Sequence, residues 1–95
     1  MAKVMKTELI DRVAERAGVT KQTTREVIDA LLEEVTDLMI DGIEVQLIDF
    51  GKFVPFERAA RSVHNVTTGQ MMEVPPRVIA KFRPSEALNK RLNGR

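Results

Sequence analysis

Few of the side chains in this sequence could do covalent chemistry. His64 is the sole histidine and there is no cysteine. Disulfides, thiolate catalysis and cysteine-based zinc sites are therefore excluded, and His64 has no second histidine with which to start a metal set. As a general base it would lack an orienting partner and a nucleophile. Asp49-Phe50-Gly51 repeats the magnesium-binding tripeptide of protein kinases. The chain is far too short for a kinase and has neither a glycine-rich phosphate loop nor a His-Arg-Asp loop, so the tripeptide reads as a turn between strands. Asn65-Val66-Thr67 matches a glycosylation sequon, but no apolar secretion segment precedes it. The pattern that remains is electrostatic. Arg58 and Arg61 lead into, and Arg77, Lys81 and Arg83 lead out of, a run from 58 to 76 with the turn formers Asn65, Thr67, Thr68 and Gly69 at its centre.

That run predicts a β-hairpin with a multi-residue loop. No other segment supplies a second sheet to cover both of its faces, and an isolated two-stranded ribbon is marginal in water. Such an arm needs a partner to bury it. On alternating strands the basic residues can form a row on one face, suited to phosphates, and two-stranded ribbons fit nucleic-acid grooves. A solvated sheet face would account for the charges. It accounts less well for apolar Val66, Met71 and Met72 at a polar tip, which side chains wedged between base steps would explain.

The elements that must carry the arm are legible from periodicity. Leu9, Ile10, Val13, Ala14 and Ala17 form a helical stripe over about residues 7–17, with Thr7 as N-cap and Gly18 as the terminating glycine. Thr20 caps a second helix, preferred over the Thr23/Glu26 capping box because a later start discards a turn. Its apolar face, from Val27 and Ile28 through Leu38 and Met39, is wider than one helix of this length can bury in so small a domain. The sheet and a second subunit are both expected to cover it. Ile43 to Ile48 alternates like a half-covered strand, and about Lys52–Arg61 forms a second strand running into the arm. Pro55 there indicates an edge position or a bulge. Arg77–Phe82 forms a third strand, ended by Pro84, and Ser85 caps a short last helix carrying Ala87, Leu88 and Leu92. The reading is an α+β domain, ααβββα, with helices to one side of a three-stranded antiparallel sheet.

With 95 residues there is room for one domain: a helical part over about 1–42, sheet and arm over about 43–83, and a last helix over about 85–93. No apolar run reaches the roughly 18 residues of a membrane span, so a cytoplasmic protein is expected. The net charge of +1 conceals a split. Residues 1–52 hold seven Lys and Arg against eleven Asp and Glu, a net of −4; residues 53–95 hold eight against three, a net of +5. The basic half contains the arm, which points to a polyanion on that side.

Met5-Lys6-Thr7-Glu8-Leu9-Ile10, Phe50-Gly51-Lys52-Phe53, Glu57-Arg58-Ala59-Ala60-Arg61, Asn65, Thr68-Gly69, Pro75 and Phe82-Arg83-Pro84 together resemble the HU/IHF family of bacterial histone-like DNA-bending proteins. The likeness covers about residues 5–93 with the same element order. It implies an intertwined dimer of a chain with itself or with a related chain. Two arms would reach from a helical base into the minor groove of double-stranded DNA, inserting a tip residue that kinks it. On this reading the DNA-binding residues are Lys6, Arg58, Arg61, His64, Asn65, Val66, Thr68, Gly69, Arg77, Lys81 and Arg83, with Val66 as the intercalating wedge. No cofactor, metal, membrane or small-molecule substrate is implied, and the setting would be the nucleoid.

The chain departs from the family pattern at informative positions. The usual wedge is proline, where this chain has Val66, which is apolar and β-branched but lacks the fixed φ. The arm-base arginine is Phe56, the glycine before Phe50 is Asp49, a basic residue near the tip is His64, and last-helix lysines are Glu86 and Asn89. Arg77, Arg83 and Pro84 lean toward the sequence-selective IHF branch, Glu57 to Arg61 toward the non-selective HU branch. The thinned charges leave one rival, a dimeric interaction module of the same fold with weakened DNA binding. Single-strand or RNA binding is disfavoured because Phe56 is the lone aromatic near the arm.

Overall fold

The computed structural model describes residues 2–94. Arg95, counted in the charge of the basic half, lies outside them. The chain divides into two compact units, one ending at Asp37 and one beginning at Leu38.

The first unit is built on α1 (Lys6–Ala17) and most of α2 (Lys21–Ile40). Thr7 does not cap α1. The helix begins one residue earlier, Met5 holds the extended N-cap position, and no side chain caps it. Glu8 in the first turn still favours the helix dipole, and it also pairs with Arg12 one turn on. At the other end Gly18 adopts φ 72°, and the amides of Gly18 and Val19 both donate to the Ala14 carbonyl, the left-handed closure expected of a glycine there. Thr20 then caps α2 as expected, its Oγ1 accepting from the Thr23 amide at 3.1 Å. Ile10 and Ala14, only 2% and 3% exposed, are the buried apolar residues here, and buried Thr24 is satisfied by donating to the Thr20 carbonyl. In contrast Val27, Leu31 and Leu32 on α2 and Leu9 on α1 stand open in the single chain.

The second unit starts with the end of α2. The Ile43 amide donates to Leu38 and the Gly42 amide to Met39, with Gly42 at φ 80°, a Schellman closure. β1 (Val45–Leu47), β2 (Gly51–Arg58) and β5 (Arg77–Pro84) form an antiparallel sheet in the order β1-β2-β5, and β3 (Arg61–His64) pairs with β4 (Met71–Val74) as a separate ribbon. The first strand is thus shorter than the expected Ile43–Ile48. The long second strand is split at Ala59-Ala60, and with the arm's return strand β4 the count is five, a three-stranded sheet plus a two-stranded ribbon. α3 (Glu86–Leu92) closes the chain, and the Ser85 hydroxyl accepts from the Leu88 amide at 3.0 Å, as its cap position requires.

Pro55 sits in β2, the middle strand, with no bulge. β1 reaches only as far as Phe53, so at Pro55 the β1 side of β2 is already an edge, where a missing amide hydrogen costs no ladder bond. One face of the sheet carries its small core. Phe53 pairs across with Phe82, ring centroids 5.2 Å apart, and Phe50 lies 5.4 Å from Phe82 on the other side. Gly51 makes this possible: a Cβ there would lie 2.7 Å from the Phe82 ring and from the Arg83 carbonyl oxygen. Asp49, at φ 66°, takes the left-handed turn conformation in the position where the family pattern has glycine.

Candidate nucleic-acid interface

The pairing of β2 with β5 decides where the charges go. Side chains alternate between faces and directly paired residues share one. Lys52 faces Arg83, Val54 faces Lys81, Phe56 faces Ile79 and Arg58 faces Arg77. All five cations therefore lie on the side of the sheet opposite the Phe53–Phe82 pair. Arg58, Arg77, Lys81 and Arg83 were expected in such a row. Lys52 was missed, although its place two residues along from Val54 in the alternation was a usable signal.

Arg61 was also expected in that row; it lies beyond the sheet, in the separate β3–β4 ribbon. Arg58 pairs with Arg77 and Arg61 with Val74, three residues further along each strand, so the register runs unbroken from sheet to ribbon. Within the ribbon, Arg61 shares a face with Val63, Met72 and Val74. Ser62, His64, Met71 and Glu73 share the other face of the ribbon, and the hydrogen-bond phase shifts between sheet and ribbon, with the Ser85 amide donating to the Phe50 carbonyl and the Asn65 amide to the Gln70 carbonyl. Between the two ladders, the register places Ala59 and Ala60 opposite Pro75 and Pro76. The prolines have no amide to donate, which accounts for the missing rungs.

Ion pairing separates the cations further. Lys52 Nζ lies 3.5 Å from Glu44, whereas among the described residues none of Arg58, Arg77, Lys81 or Arg83 is within ion-pair distance of a carboxylate. Lys81 is instead held over the Phe56 ring, 3.8 Å from its centroid. This occupies the aromatic that a stacking base would need. Lys6, also expected at the interface, is in the helical unit with its Nζ 2.6 Å from Asp29.

At the ribbon's end Asn65 organises the loop. Its amide donates to the Gln70 carbonyl and its own carbonyl accepts from Gly69, both at 2.7 Å. Its Oδ1 accepts from the amides of Thr67 at 2.9 Å and Thr68 at 3.3 Å, an Asx turn. Its Nδ2 donates to Met72 Sδ at 3.2 Å. His64 Nε2 lies 3.1 Å from the Gly69 carbonyl oxygen, and Gly69 itself takes φ 74°. Thr68 Oγ1 accepts from Gln70. Thus His64, Asn65, Thr68 and Gly69 hold one another, and the residue they leave outside is Val66, 89% exposed. The link from Asn65 to Met72 was not foreseen, because nothing in residue spacing signals a thioether acceptor.

The family described as bacterial DNA-binding protein matches the chain over residues 4–93. The chain is 43% identical over 83 residues to DNA-binding protein HU of Geobacillus stearothermophilus, covering 87% of this chain and 92% of that one. It is 38% identical over 87 residues to HU of Thermotoga maritima, covering 92% and 97%. Among solved structures it is similar to HU of Anabaena in a cocrystal with DNA, with a TM-score of 0.90 and 34% identity over 97% of this chain and all of that one. HU of Thermotoga maritima gives a TM-score of 0.66 at 30% identity, covering 94% and 98%. The helices, the antiparallel sheet, the ribbon and these relatives converge, and the chain belongs to the HU/IHF family of bacterial DNA-binding proteins.

Proposed function

We propose that this protein is a non-enzymatic, dimeric architectural protein that binds double-stranded DNA through its ribbon and bends it. The observation that carries the reading is the single basic face. Arg58, Arg77, Lys81 and Arg83 share one side of the sheet with no carboxylate partner among the described residues, and the strands that carry them lead on to a ribbon presenting Val66 in the open. Uncompensated cations in a row suit the phosphate backbone, where neutralisation releases condensed counterions. The ribbon would lie in the minor groove with Asn65 and His64 against its floor and walls. Val66 would part a base step there, opening a kink toward the major groove. Lys6, Arg61, Thr68 and Gly69 complete the proposed contact set, Thr68 and Gly69 by shaping the tip.

Dimerisation is supported by the apolar surface that a single chain leaves open. Val27 is 61% exposed on α2, and Leu31, Leu32 and Leu9 are exposed with it, while only Ile10 and Ala14 are buried apolar side chains among the described residues. So little buried area cannot offset the conformational entropy of a folded chain this size, and a second copy or a related chain would complete the core. No described helix is long and apolar enough to cross a membrane. A cytoplasmic, nucleoid-associated protein needing no cofactor or small-molecule substrate fits this reading. Gel-shift titration and end-to-end energy transfer on intact and nicked duplexes at two salt concentrations test it. Tight, salt-sensitive, bend-producing binding is expected. Dimerisation with no binding to any duplex would favour the rival interaction module.

A further inference from the structure

We infer that Met71 and Met72 form a peroxide-reactive site that sets the order of the ribbon tip and, resting on the DNA-binding reading above, its affinity for the groove. Both side chains are open to solvent, 65% and 49% exposed, at the end of the ribbon. Solvent access is the first requirement for thioether oxidation. Met72 carries a second feature. Its Sδ accepts from Asn65 Nδ2, and the other end of that same amide holds the Thr67 and Thr68 amides that shape the loop beneath Val66. The sulfur is thus the fixed point against which the tip-organising side chain is oriented.

The chemistry needs only a hydroperoxide. The sulfur lone pair attacks one oxygen of hydrogen peroxide, the O–O bond breaks as the S–O bond forms, and the proton on the transferred oxygen passes to the departing one, which leaves as water. Sulfur is oxidised by two electrons and the peroxide reduced by two. The product is polar and chiral where the thioether was apolar. At Met72 the sulfoxide oxygen becomes the stronger acceptor and stands away from the sulfur. It draws Asn65 Nδ2 outward and pulls Oδ1 off the Thr67 and Thr68 amides. At Met71, which the register pairs with His64, the sulfoxide must shed its water before the ribbon can enter a groove. Both effects weaken binding, and enzymatic reduction of the sulfoxide would reverse them.

The test treats the full-length protein with graded hydrogen peroxide and maps sulfoxides by peptide mass spectrometry. It reads the Thr67 and Thr68 amide chemical shifts by NMR and affinity on a nicked duplex. Expected are oxidation of Met71 and Met72 ahead of Met39 and displaced Thr67 and Thr68 shifts. Affinity should fall about tenfold, the cost of one poorly compensated polar group, and return after methionine sulfoxide reductase treatment. A Met71→Leu/Met72→Leu double variant should keep its affinity through the same treatment. The inference is overturned by sulfoxides at both positions with unmoved amide shifts and unchanged affinity, or by a double variant as peroxide-sensitive as the parent. If untreated protein binds no duplex, the DNA-binding reading fails, and the amide shifts alone still decide whether Met72 oxidation unlocks the tip.

Discussion

Replacing Arg77 with Gln removes one cation from the basic face of the chain and leaves the fold's packing alone, because Arg77 is exposed and makes no ion pair among the described residues. Its effect can be sized from the face itself. Among the described residues Arg58, Arg77, Lys81 and Arg83 lack carboxylate partners. In the proposed dimer, if each of these meets a phosphate, eight are neutralised and log K should fall against log salt with a slope of about −7. Arg77→Gln removes two contacts and should bring the slope to about −5. Between about 50 and 200 mM salt the parent then loses roughly 10⁴ in affinity and the variant roughly 10³, so the gap between them narrows about tenfold as salt rises. Fluorescence anisotropy on one nicked duplex across that range measures both slopes. A variant that is weaker at every salt with an unaltered slope would show that Arg77 supports the strand and not a phosphate.

Other consequences follow from individual contacts. Glu44→Gln releases Lys52 to join the row, so the salt slope should steepen by up to about 2 per dimer, and a slope equal to the parent's would leave Lys52 outside the interface. Val66→Asp places a carboxylate where the wedge would insert; bending by energy transfer should vanish while the melting temperature stays at the parent's value, and undiminished transfer would remove Val66 from the mechanism. Gly51→Ala drives a Cβ to 2.7 Å from the Phe82 ring and the Arg83 carbonyl oxygen, and urea unfolding should show a loss of about 1–3 kcal/mol. Asp49→Val puts a β-branched residue at φ 66° and should cost about 1–2 kcal/mol in the same assay, whereas an unchanged midpoint would mean the turn can refold around it.

The parts of the fold that sequence reveals are those with local causes. Gly18, Thr20, Gly42 and Ser85 mark helix ends through hydrogen bonds to residues three to five away, and each acts as its type predicts. Thr7 misleads because a cap can be vacant: α1 starts at Lys6 without a side-chain acceptor. The row of cations was visible as a set, but which face each occupies depends on register. Register across the Ala59-Ala60 and Pro75-Pro76 interruption is a property of two strands together. Hence residue spacing alone does not show that Lys52 joins the row or that Arg61 sits in a separate ribbon. Pairings that depend on approach in space, Lys81 over Phe56 and Asn65 onto Met72, leave no trace in spacing at all.

The most direct test of the central claim is end-to-end energy transfer on a nicked duplex titrated with the protein at low and at physiological salt. The account predicts saturable binding that weakens steeply with salt, together with a rise in transfer as the duplex ends approach. Binding that ignores salt, or that leaves the ends as far apart as in free DNA, would contradict it.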